Sequence, residues 1–173
     1  MQPTSDQLAA AVAAAASEEL AKALERIKHC LDQLTDEQIW QREIESMNSI
    51  GNLSLHLCGN LRQWIVAGVG GAADMRQRPN EFSERGPIPK AELLHRLDEV
   101  VADAHVAMAK TSAAELMRKR CIQGFDVTGI DAIFDSVPHF RGHTQEIVHM
   151  TRSLLGDAYQ FAWTPSTPQE GAK

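Results

Sequence analysis

Asn48-Ser49-Ile50-Gly51-Asn52-Leu53-Ser54-Leu55-His56-Leu57-Cys58-Gly59-Asn60-Leu61-Arg62-Gln63-Trp64 carries two patterns side by side. Leu53, Leu57, Leu61 and Trp64 recur at steps of four and three, the spacing that lines one face of an α-helix with apolar side chains. Asn52, His56 and Asn60 recur at four beside that stripe, so a polar line runs along the edge of a core-facing surface. Polar groups this near a core need partners. The pattern predicts a helix from about Asn48 to Ala67, ended by Gly68, Gly70 and Gly71, because glycine accepts the left-handed turn that closes a helix.

Such a helix must bury its stripe against something, and the flanking sequence supplies more helices. Upstream, Leu20, Leu24, Ile27, Leu31 and Leu34 form a seam on a predicted helix from Ser5 to Leu34. Thr35 to Gln38 then reads as an N-cap and its capping box, opening a short helical turn around Trp40. Downstream, Gly68 to Pro89 is polar and rich in glycine and proline, a long connection expected to pack across one end of a bundle and to be functional or mobile. A third helix follows from Pro89 or Lys90 to Lys110, with Leu93, Leu97, Val100, Val101, Ala104 and Met108 in phase. A short helix over Ala113 to Met117 and an extended stretch from Cys121 to Val127 come next. The fourth helix is predicted from Thr128 to Gly156, with Ile130, Ile133, Val137, Phe140 and Ile147 inward and a kink at Pro138. The expectation is an all-α protein of one domain over 1–160, with a flexible C-terminal tail over 161–173.

Composition narrows the function. The chain has 173 residues and a formal net charge of −6, so no basic field is available to attract a phosphate backbone, and nucleic-acid binding is not expected. No apolar run reaches the length of a membrane span, and the alanine run Ala9 to Ala16 lacks a basic segment before it. Cys30, Cys58 and Cys121 are isolated and odd in number, which reads as reduced thiols in a cytoplasmic protein. Cys58 reads as a small core residue.

Among the seven histidines, His139 and His143 stand four apart on the fourth helix. At about 100° per residue they lie within roughly 40° of each other, one turn apart, which lets two imidazoles converge on one ion. The pair alone is a weak signal, since two surface histidines at this spacing are common. Both flank the apolar stripe, however, and His56 lies beside the stripe of a helix able to pack against theirs. Glu146, three residues beyond His143 on the same face, can be read as a ligand, a partner of a ligand or a base. His29, His95 and His105 fall on polar flanks, and His149 faces away from the pair.

The stretch Asn48 to Trp64, together with His139-Phe140-Arg141-Gly142-His143-Thr144-Gln145-Glu146-Ile147, resembles the DinB-like (YfiT-like) superfamily, whose members are read as metalloenzymes. Within it, the wording is similar to a bacterial subgroup. The resemblance runs from about Glu19 to Gly156. It implies an up-down-down-up four-helix bundle with a three-histidine site for a divalent metal (Zn²⁺, Ni²⁺, Mn²⁺ or Fe²⁺), the ligands being His56, His139 and His143. Asn60 and Trp64 are expected to line the pocket, and Glu146, which is this chain's own residue on the histidine face and not part of the family pattern, or a metal-bound hydroxide is expected to act as the base. Many relatives have Gly-Gln where this chain has Gln145-Glu146, so an inherited mechanism does not carry over unchanged there. The implied function is a thiol-dependent transferase or a hydrolase acting on a small molecule, with a low-molecular-weight thiol and a homodimer among the expected partners. The alternative is a bundle that binds metal or a small ligand without turnover.

Overall fold

A computed structural model describes residues 2–162. Its elements are α1 (Ser5–Asp32), α2 (Asp36–Trp40), α3 (Ile50–Leu61), α4 (Arg78–Ser83), α5 (Lys90–Ala109), α6 (Ala113–Met117), β1 (Lys119–Ile122), β2 (Phe125–Thr128) and α7 (Gly129–Leu155). Helix α3 continues without a break into a π turn over Arg62–Ala67. The expected C-terminal tail lies outside the described residues except for Phe161 and Ala162.

Start signals written in the sequence set the helix boundaries. Thr4, Thr35, Ser49 and Thr128 each cap a helix through a reciprocal capping box, with Gln7, Gln38, Asn52 and Asp131 as the returning side chains. Helix α7 runs through Pro138 as one continuous element. The left-handed residue after the π turn is Gly71, at φ 79°, a conformation that costs a residue with Cβ far more.

Helix α1 packs on α5 and α7, and α3 packs on the same two, so α1 and α3 hold opposite corners. Directions follow from the contacts at each end. Lys90, which opens α5, bonds to Asp36 and to the carbonyl of Leu34, so α5 starts where α1 stops and α3 starts. At the other end, the amide of Ala113 bonds Asp6, and Arg120 reaches the carbonyls of Gly68 and Val69. The result is an all-α bundle of up-down-down-up topology. Leu20, Ile27, Leu31, Ile50, Leu53, Leu57, Leu61, Leu93, Leu97 and Phe140 are its fully buried centre.

Because α3 and α5 run the same way, the chain between them has to travel back the whole length of α3. The long connection therefore lies along that helix, not across an end of the bundle. It begins beside Gln63, which bonds Asp74, passes His56 at Arg76 and Glu81, and reaches Asn52 at Glu84. It is also partly ordered into α4, which the absence of any apolar period concealed. The stretch expected to be extended forms the hairpin β1–β2, pairing Lys119 with Thr128 and Ile122 with Phe125. Its two turn residues, Gln123 and Gly124, both take positive φ (53° and 85°), the requirement of a tight hairpin turn.

Candidate metal centre

The polar line on α3 finds its partners, and each partner builds part of one site. Asn52 is fully buried. Its Oδ1 accepts from Ser49 and from Arg42, while its Nδ2 donates to the carbonyls of Glu81 (2.8 Å) and Glu84 (3.0 Å). Those two bonds fix the returning connection onto α3. Asn60 accepts from the Ser136 hydroxyl of α7 at 2.7 Å, tying the two helices together.

His56 lies between them, buried, and uses both ring nitrogens. Its Nδ1 stands 2.9 Å from Glu81 Oε2, and its Nε2 stands 2.9 Å from Nε2 of His139. Nδ1 also stands 3.2 Å from Arg76 Nη2, but the shorter contact is to a carboxylate, which only accepts, and it assigns the proton to Nδ1 and turns the lone pair of Nε2 toward His139. His143 completes the group. Ring centroids are 5.0 Å apart for His56 and His139, 5.2 Å for His56 and His143, and 4.5 Å for His139 and His143. One nitrogen from each of the three lies within 4.8 Å of the others. Two nitrogens each about 2.0–2.1 Å from one tetrahedral ion lie about 3.3 Å apart, inside that bound.

Glu146 does not join that cluster directly. Its Oε2 stands 2.7 Å from Nδ1 of His143, which puts the proton there and frees Nε2 as the ligand atom. The site thus holds two histidines each backed by a carboxylate, Glu81 behind His56 and Glu146 behind His143. Arg62 and Arg141, cations near enough in sequence to have claimed Glu146, pair instead with Asp103 and Glu19.

Sequence reasoning missed Glu81 and Arg76. The Arg76 guanidinium bonds both oxygens of Glu81, at 2.7 and 2.9 Å, and also donates to Gln63. Its side chain is only 3% exposed and that of Glu81 9%, so this is a buried ion pair behind a histidine. Burial alone would raise the Glu81 carboxyl, but hydrogen bonds and charge from Arg76 and His56 outweigh it and hold it below its ordinary value. One signal did exist in the sequence. Gly59 sits in mid-helix one turn past His56, and a Cβ there would lie 2.0 Å from Glu81 Oε1. A glycine inside a helix costs stability and marks a close approach.

Asn60 and Trp64 line a cavity of about 320 Å³ together with His56, His139, Ser136, Gln123, Asp135, Arg76 and Arg78. The Trp64 indole donates to Gln123 Oε1 at 3.1 Å, which holds the hairpin turn over the cavity. Cys58 stays outside the group. Burial pushes its thiol up to about 12, so it remains protonated and is not a thiolate ligand.

Burial, first, and then the nearby His143, His56, Arg76 and Arg78 push His139 down to about 4. The imidazole is therefore neutral and ready to ligate at pH 7. In the metal-free protein the same crowding makes the fold acid-sensitive. Between about pH 6.5 and 4 the unfolded chain takes up a proton that the folded chain refuses, so stability falls as pH falls. The lowered Glu81 carboxyl acts in the same direction at still lower pH, its contribution being lost as pH drops through its folded value. Thermal melts of chelator-treated protein should show Tm dropping by several degrees from pH 7 to pH 4.5. His139→Asn should flatten that limb; an identical slope in the variant would remove His139 as its cause.

Residues 7–167 match the family model described as "Protein of unknown function (DUF1572)". No curated protein matches the chain. Among solved structures, a conserved protein from Enterococcus faecalis is similar at a TM-score of 0.67 and 18% identity, over 82% of this chain and 96% of that one. A DinB-like protein from Bacillus cereus is similar at a TM-score of 0.61 and 14% identity, over 76% of this chain and 85% of that one. At these identities the likeness speaks for the fold.

Proposed function

The chain belongs to the DUF1572 family and has the bundle of a DinB-like protein, and from that premise we propose that it holds a divalent metal through His56, His139 and His143 and works as a thiol-dependent transferase or a hydrolase. The observation that carries this reading is the convergence of three imidazoles from two helices, two of which, His56 and His139, line a cavity. The donor set suits Zn²⁺, Ni²⁺, Mn²⁺ or Fe²⁺, and three protein ligands leave positions open, as in catalytic rather than closed sites. A metal held there would lower the pKa of a bound water or thiol toward neutrality and so supply the nucleophile. The cavity beside His56 and His139 is what favours turnover over mere binding.

The chain's own residues do the rest. Glu81 and Glu146 hold the Nδ1 protons of His56 and His143, which aims both Nε2 lone pairs inward and raises their basicity as ligands. Asn60, bonded to Ser136, keeps α3 and α7 at the spacing the three rings need. Trp64 supplies an apolar wall that limits water beside the open positions.

The test is elemental analysis of protein purified without an affinity tag, followed by chelator competition and a thiol-transfer screen. Bound metal should fall away below about pH 6, where imidazoles take up protons in competition with the ion. Because His139 resists protonation down to about pH 4, only occupancy that stays flat below that value would mean that carboxylates hold the ion. Glu146→Gln separates two roles for that residue. The hydrogen bond to His143 supports an orienting role, for which metal affinity falls about tenfold to a hundredfold. Unchanged affinity with turnover reduced by roughly a hundredfold or more would make Glu146 the base instead.

A further inference from the structure

The cavity lined by His56 and His139 uses up nearly all of its polar lining in internal pairs. Asn60 is bonded to Ser136, Trp64 to Gln123, and Arg76 to Glu81 and Gln63. Two charged residues of the lining, Arg78 and Asp135, take no ion-pair or hydrogen-bond partner among the described residues.

Arg78 is held in place, and Asp135 has its position set by α7. The Arg78 guanidinium rests on the ring of Phe82, 4.8 Å from its centroid, and the other neighbour of that ring is His56, at 5.0 Å between centroids. Stacking on an aromatic face restrains a guanidinium while leaving its N–H edge free to donate. Asp135 lies one helical turn before His139 on α7, so Asp135, His139 and His143 share one face of the helix. A cation from the returning connection and an anion from α7 thus line one cavity with His56 and His139, without pairing with each other.

We propose that this cavity binds a small zwitterion, an amino-acid-like thiol whose carboxylate pairs with Arg78 and whose ammonium pairs with Asp135. This deepens the metal–thiol reading and rests on it, since the sulfur would be held at the histidine centre. A planar guanidinium matches a carboxylate in a two-point contact, and a carboxylate accepts from an ammonium. The cavity's roughly 320 Å³ exceeds the needs of one such molecule and leaves room for a second small reactant.

Four thiols separate the contributions: L-cysteine carries both charges, 3-mercaptopropionate only the carboxylate, cysteamine only the ammonium, and 2-mercaptoethanol neither. Each would be titrated into full-length protein loaded with Co²⁺ and followed by the thiolate-to-metal absorbance. L-cysteine should bind tightest, with each missing charge weakening binding by about two- to fivefold, the scale of a solvent-accessible pair. The four thiols differ in their own acidity, so the change on mutation is decisive. Arg78→Gln should erase the preference for L-cysteine over cysteamine and spare its preference over 3-mercaptopropionate. Asp135→Asn should do the reverse. Both side chains are exposed, and circular dichroism would verify that each variant is folded. Preferences that survive both substitutions, or four equal affinities, overturn the zwitterion site and leave the metal–thiol reading standing. No absorbance change with any of the four overturns the metal–thiol reading, and this inference with it.

Discussion

His139→Asn is expected to cost more metal affinity than any other single substitution. His139 is the member of the trio in hydrogen-bond contact with His56, its Nε2 lying 2.9 Å from that of His56, and its ring is also the nearer to His143. Removing it leaves two imidazoles that face each other across 5.2 Å between centroids. The loss should exceed the roughly hundredfold upper end seen when only an outer hydrogen-bond partner of a ligand is lost. Competition against a chromophoric chelator, with metal content measured in parallel, reads this directly. The same variant should stay folded, because the imidazole it loses is one whose protonation the fold opposes. A His139→Asn protein that keeps its metal within tenfold of the parent would falsify the three-histidine centre.

Glu81→Gln should give the largest loss of stability. It leaves the Arg76 guanidinium, 3% exposed, without its counter-charge, and breaking one side of a buried pair costs about 3–5 kcal/mol. In a chain of this length that corresponds to a drop in Tm on the order of 10 °C. Metal affinity should fall as well, by about tenfold to a hundredfold, since a neutral amide backs His56 less strongly than a carboxylate. The double substitution Arg76→Met with Glu81→Gln separates the two effects. With no charge left to strand, most of the stability should return, while the metal defect persists. If Glu81→Gln shifts Tm by only a degree or two, the pair is better solvated than its burial implies. If the double variant regains metal affinity, the carboxylate has no part in tuning His56.

The contrast between the two residues explains what could be read from the sequence and what could not. His139 was legible because a helix repeats: two histidines four apart must share a face, and a stripe such as Leu53, Leu57 and Leu61 says which way a helix faces. Capping boxes at Thr35 and Thr128 were legible for the same reason, being contacts between residues three apart. Glu81 was not, since it acts on a histidine 25 positions away from a stretch without any period. The N-terminal alanines were also underread. Ala9, Ala13 and Ala16 are buried at helical spacing, but alanine is as much at home on a surface as in a core, so its periodicity carries little signal. The π turn after Leu61 left no trace either. It shifts the phase of the helix, so Trp64 and Ile65, neighbours in sequence, are both buried.

The division of labour along α3 has an evolutionary consequence. The three histidines ride on helices whose spacing the packed core dictates, whereas Glu81, Arg76 and Arg78 arrive on a connection that touches that core from outside. Connections tolerate replacement and change of length; packed helices do not. Descendants of this bundle can therefore keep the same grip on an ion while exchanging the segment that sets how strongly it is held and what may approach it, and new chemistries would be expected to diverge between residues 72 and 89 before they diverge at any histidine.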